Sequence, residues 1–161
     1  MNLQVRDAGI EILRVLCGSR AYGLHDDDSD FDYHGIFVVP TNRLLSIGPK
    51  IRETAWVEGT EQDNTAWEVG HFLKLAVQCN PTILETFVAP VEMQDGWGER
   101  VRALFPYVIS RKQVYEAFRG YSRNQRKKMF EPTGGVRAGE RMWKFAVAYI
   151  RVLYHGIRLL R

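Results

Sequence analysis

The chain has 161 residues, 45% of them hydrophobic, and a formal net charge of +3; that suffices for one domain, or one domain with a helical appendage, and argues against disorder. Its apolar runs are broken by charge well short of the roughly 20 residues a membrane helix needs, and the opening Met1-Asn2-Leu3-Gln4-Val5-Arg6-Asp7 lacks the basic-then-apolar order of a signal peptide. Cys17 and Cys79 are the two cysteines and offer neither a disulfide framework nor zinc spacing, so a reducing cytoplasm is the expected setting.

In chain order, residues 2–10 read as a short helix, and Ile12-Leu13-Arg14-Val15-Leu16 as the first core strand. Gly18-Ser19 should open a helical turn to Leu24, His25-Asp26-Asp27-Asp28-Ser29 is a polar break, and residues 31–39 form a strand stopped by Pro40. Residues 41–50 read as a loop with one helical turn. Two strands follow, Arg52 to Thr60 and Asn64 to Val69, joined by Glu61-Gln62-Asp63. From Gly70 the period becomes helical, with Phe72, Leu73, Leu75, Ala76 and Cys79 at steps of three and four. Asn80 should end that helix and Pro81 start another through Thr86, in which Glu85 reads as a structural residue. Pro90 and Gly96 to Gly98 mark a boundary.

Beyond residue 100 the chain reads as helical. Arg111 to Phe130 carries Val114, Ala117, Phe118 and Tyr121 on one stripe, with Arg119, Arg123, Arg126 and Lys127 on another face. A loop at 131–135 precedes a last helix, Arg141 to Arg161, with Phe145, Ala148, Val152 and Leu159 or Leu160 inward. The predicted fold class is α+β: a small mixed sheet backed by helices in residues 1–98, then a basic helical segment in 99–161. Charge follows the same division, seven Lys/Arg against fifteen Asp/Glu up to residue 98 and fifteen against four beyond it. An acidic half suited to metal thus adjoins a basic half suited to phosphates or another polyanion.

The chemistry concentrates in Cys17-Gly18-Ser19-Arg20-Ala21-Tyr22-Gly23 and Ser29-Asp30-Phe31-Asp32-Tyr33. A Gly-Ser turn can approach phosphate through its backbone N–H groups, and carboxylates at i and i+2 of a strand point to one side. Asp30 and Asp32 could then each ligate Mg²⁺, with Phe31 turned into the core. Nucleotidyl transfer needs that arrangement, because hard cations neutralise the phosphate oxygens and activate the attacking oxygen. Asp26, Asp28 and Asp30 also fall at positions 1, 3 and 5 of a calcium loop, but Phe31 and Phe37 stand where such a loop requires Gly and Glu. His25, His34, His71 and His155 have no metal-ligand spacing.

At these residues the chain resembles the DNA polymerase β-like nucleotidyltransferases, and more closely the predicted nucleotidyltransferases associated with RNA repair ligases. Cys79-Asn80-Pro81-Thr82-Ile83-Leu84-Glu85 and the last helix, with Lys144 and Ile150-Arg151-x-Leu153, extend the likeness. Members of that family run longer, so the basic segment is expected to be incomplete. The resemblance implies a Mg²⁺- or Mn²⁺-dependent transferase using a nucleoside triphosphate, with an RNA end as one acceptor. It implies a third metal carboxylate, for which Glu68, between Trp67 and Val69, is the first candidate and Asp63 the rival. It also implies phosphate-binding roles for Gly18 and Ser19, and for Lys144 on the last helix, where the family often has His four residues later and this chain has Ala148. Arg20 fits equally a phosphate ligand or a partner of Asp26–Asp28. Two other readings use the same residues: a non-catalytic nucleotide or RNA sensor, and a toxin–antitoxin or defence transferase that modifies protein or tRNA.

Overall fold

The structure, a computed structural model, describes residues 4–5, 9–48, 50–56, 64–130 and 138–161. It is α+β. In chain order the elements are β1 (Gln4–Val5), β2 (Gly9–Cys17), α1 (Gly18–Ala21), β3 (Asp32–Val38), α2 (Thr41–Leu44), β4 (Thr54–Trp56), β5 (Thr65–Glu68), α3 (Val69–Val77), α4 (Pro81–Val88), β6 (Val91–Gln94), α5 (Gly96–Ala103), α6 (Phe105–Val108), α7 (Arg111–Phe130) and α8 (Ala138–Leu160). They fall into two compact units, one of Met1–Leu75 with Thr82–Tyr107 and one of Ala76–Pro81 with Val108–Arg161. The expected division after residue 98 falls inside α5.

The first unit is built on a mixed sheet in the order β1-β2-β3-β5-β4, with β6 also on β2. β2 and β3 are antiparallel, β3 and β5 parallel. A bulge between Glu11 and Leu13 resets the alternation of β2, which brings Glu11 and Arg14 to one face. The Glu11 carboxylate is buried there, and Arg14 grips both its oxygens, at 3.0 and 2.7 Å. One face of the sheet, with His34, Ile36 and Trp67, packs on α3 and α4. The His34 ring meets Trp67 edge-on and Thr86 through Nδ1, and aromatic contacts run from Trp67 to Phe72, Phe87 and Phe105. The other face buries Phe37, Val39 and Ala66 against Ile51 and Ala55.

Several expectations change. The N-terminal helix over 2–10 is replaced at its described positions by strand, because Gln4–Val5 pairs with Gly9–Ile10 and β2 begins at Gly9. β6 had no alternating pattern to announce it, since Val91, Glu92 and Gln94 are all exposed; pairing with β2 alone makes it a strand. At the end of α3 the left-handed residue is Cys79, φ 53°, rather than Asn80.

In the second unit α7 buries Val114 and Phe118, and α8 buries Val152 and turns Phe145, Ala148 and Leu159 partly inward, as the periodicity predicts. Gly156 lets α8 approach the Phe118 ring, to which an added Cβ would stand 3.0 Å away.

Candidate active site

β2 ends at Cys17, which pairs with Asp32, the first residue of β3. The chain then turns at Gly18, whose φ of +68° lies in the left-handed region glycine favours. The turn folds directly over Asp32: a Cβ on Gly18 would stand 2.0 Å from Asp32 Oδ2. Glycine is thus required twice, for its dihedral and for the space the carboxylate occupies. Ser19 follows as the second residue of α1, and its carbonyl accepts the N–H groups of Tyr22 and Leu24. The N-cap position belongs to Cys17, with no side-chain cap, so Ser19 is not the capping residue.

Arg20 ties this turn to the acidic loop. Its Nε and NH2 groups donate to the Ser29 carbonyl at 3.0 and 2.7 Å, and its guanidinium lies 3.9 Å from the centre of the Phe31 ring. That overturns the core position expected for Phe31, which is 55% exposed and serves as a platform for Arg20. The loop is closed upon itself. Ser29 donates its hydroxyl to Asp26 Oδ1 and accepts the Asp26 N–H, and its own N–H goes to the Asp26 carbonyl. The Ser29 hydroxyl bond, reinforced by Asp26's own backbone N–H and the Arg20 charge, holds the Asp26 carboxyl below its ordinary 3.8. Arg20 therefore fixes the path into Asp30 through Ser29 and Phe31, and its charge also acts on the Asp26 carboxyl.

Asp30 is exposed and Asp32 half-buried. The strand begins only at Asp32, so alternation does not govern Asp30. Two residues of chain span no more than about 7 Å between Cα atoms, and among the described residues no group of three or more His, Cys, Asp or Glu is placed to hold a metal ion. Carboxylates are hard oxygen donors of the kind Mg²⁺ takes alongside substrate phosphates.

Glu68 does not join them. In the parallel register it stands opposite Phe37, five residues along from Asp32, which is about 16 Å at the usual strand rise and on the opposite face. Oxygens on one cation must approach it to about 2.0–2.6 Å, so Glu68 and Asp32 cannot share one. Its carboxylate instead accepts the N–H groups of Gly70 and His71 at 2.7 and 3.0 Å and caps α3. The rival, Asp63, lies outside the described residues. Its successor Asn64 is buried, and Asn64 Oδ1 accepts the N–H of Tyr33, the residue after Asp32, at 2.8 Å. Sequence reasoning does not single out Asn64; the signal for it is a polar residue heading an apolar strand. Lys144 is exposed on α8 in the second unit.

A family profile described as RlaP, RNA repair pathway DNA polymerase beta family, matches residues 5–161. The chain belongs to this family. RlaP membership makes it a polymerase β-like protein and points to nucleotidyl transfer in RNA repair, with a nucleoside triphosphate as substrate. No curated protein and no solved structure matches the chain. No described helix is long and apolar enough to cross a membrane.

Proposed function

We propose that this RlaP protein is a divalent-metal-dependent nucleotidyltransferase that moves a nucleoside monophosphate from a triphosphate onto a hydroxyl at an RNA end. The observation that carries this reading is the Gly18 turn packed on the Asp32 carboxylate, which puts a phosphate-approaching backbone beside a candidate metal ligand. Asp30 and Asp32 hold Mg²⁺, or Mn²⁺ in its place, and Asp63 is the third carboxylate. Asp63 takes that part in the proposal because the Glu68 carboxylate is engaged at the start of α3. Ser19 and the Gly18 backbone bind the β- and γ-phosphates. Arg20 acts by positioning, since its hydrogen bonds run to Ser29.

The acceptor oxygen bonds to the α-phosphorus, the bond from that phosphorus to the bridging oxygen breaks, and pyrophosphate leaves with the electron pair. The hydroxyl proton is released to water. A divalent cation held by Asp30 and Asp32 would supply charge neutralisation at the phosphate oxygens and a lowered pKa for the attacking hydroxyl. An RNA acceptor is supported by the exposed cations Arg119, Arg123, Arg126 and Lys127 on α7. A reducing, cytoplasmic setting is part of the same proposal.

The test is incubation with each α-³²P-labelled nucleoside triphosphate, Mg²⁺ or Mn²⁺ and total RNA, beside an Asp30→Ala/Asp32→Ala variant. Label on RNA that requires both aspartates is expected. Label on protein alone would move the activity to a protein-modifying transferase, and nucleotide binding without any label would select the sensor.

A further inference from the structure

Phe31 and Tyr33 make an aromatic pair beside the two aspartates, with no part so far in the proposed transfer. Their ring centroids lie 6.5 Å apart with 15° between the planes. Rings in direct contact stand about 3.5 Å apart, so this centroid separation would need a sideways offset of about 5.5 Å; with no offset the gap approaches two such spacings, room for one flat ring. Both geometries leave most of the Phe31 face on the Tyr33 side uncovered. The opposite face carries the Arg20 guanidinium, 3.9 Å from the ring centre, yet Phe31 is 55% exposed. The pair is also braced. Arg20 is fixed by its two bonds to the Ser29 carbonyl, the Tyr33 N–H is fixed by Asn64 Oδ1, and Arg14, gripped by Glu11, lies 6.0 Å from the centre of the Tyr33 ring.

This chemistry suits a flat π ligand. Arg20 already occupies one face of Phe31 and repels a second cation, and near-parallel rings favour a planar group over an aliphatic one. Position narrows the ligand to a nucleobase. Phe31 stands between Asp30 and Asp32, and the guanidinium on it comes from the same turn as Gly18 and Ser19. Because Cys17 pairs with Asp32 and Leu16 with Tyr33, Tyr33 lies on the face of β3 opposite Asp32, so a base on the aromatic pair does not displace the carboxylate. We propose that Phe31, braced by Arg20 and Tyr33, is the stacking surface for a nucleobase at the transfer site. The inference rests on the proposed nucleotidyl transfer for its choice of ligand. Stacking accepts every base, since each has a π face; the base is that of the incoming triphosphate or that of the RNA end.

Two matched pairs of ligands test this by equilibrium binding: 2-aminopurine riboside triphosphate against inorganic tripolyphosphate, and a short RNA ending in 2-aminopurine against the same RNA ending in an abasic ribose. The 2-aminopurine ligands are followed by the quenching that stacking causes, and the base-less ones by competition. Phe31→Leu keeps an apolar side chain at an exposed position. It should weaken a base-bearing ligand by roughly tenfold or more, remove its quenching and leave the base-less counterpart unchanged, and Phe31→Trp should restore both. A loss with the triphosphate assigns the base to the nucleotide, and a loss with the RNA assigns it to the acceptor. Equal weakening of base-bearing and base-less ligands would make Phe31 a brace for Arg20 alone and overturn the proposal, as would unaltered affinities or a parent protein that quenches neither ligand. Binding is read without turnover. A parent that quenches 2-aminopurine but transfers no label would therefore refute the transfer and keep the base site, whereas transfer with base binding unchanged in Phe31→Leu would refute the base site alone.

Discussion

Gly18→Ala separates the turn's role in folding from its role at the site. Alanine at φ +68° costs about 1–2 kcal/mol, a fall of roughly 2–8 °C in Tm for a chain of this size. Its Cβ would also fall 2.0 Å from Asp32 Oδ2, where at least 3.0 Å is needed, so the carboxylate must retreat by about 1 Å. A carboxylate tip can move that far without unfolding the sheet. A displacement of that size in a reacting group costs on the order of 100-fold in rate. Gly23 supplies the control: its φ is +67°, yet nothing lies within 4 Å of a Cβ placed there. Single-turnover transfer from α-³²P-labelled triphosphate, with thermal melts of both variants, should give similar losses of stability and a rate loss confined to Gly18→Ala. Equal rates in the two variants would refute the role assigned to the packing of Gly18 on Asp32.

Asp63→Asn should abolish transfer in the same assay, whereas Glu68→Gln should retain rates within a few-fold and lose about 1 kcal/mol of stability as the α3 cap weakens; the reverse pattern would restore Glu68 as the metal ligand. Arg14→Ala removes the two-point Arg14 contact from the buried Glu11 carboxylate and should cost about 1–3 kcal/mol in urea unfolding, with a loss below about 0.5 kcal/mol, on the same scale, counting against that ion pair. Replacing Arg119, Arg123 and Arg126 by Gln should flatten the slope of log affinity for single-stranded RNA against log salt by about 0.7 for each phosphate left without its cation; an unchanged slope would place the RNA elsewhere. Ser29→Ala removes the main bond to the Asp26 carboxylate, so its pKa, followed by NMR, should rise toward 3.8. Because the folded value is depressed, the loop stabilisation tied to it is present above 3.8 and disappears as pH falls through the folded value.

The sequence alone carried the features that depend on neighbouring residues. Gly18-Ser19 at the end of an apolar run, the aspartates two apart, the helical periods from Gly70 and from Arg111, and the inward stripe of α8 were all legible, because turn chemistry and side-chain period are local. The tertiary structure decided what depends on pairing between distant segments. Glu68 and Asp63 both read as candidate carboxylates near the fifth strand. The register of β5 on β3 removes Glu68, since an odd offset of five residues reverses its face as well as its position. Phe31 looked like core between two aspartates and lies instead beneath Arg20, because the strand begins one residue later than its apolar pattern. β6 exists only through its bonds to β2. Glycine at position 18 could be read as a turn, but only the fold showed that the space a side chain would need belongs to Asp32.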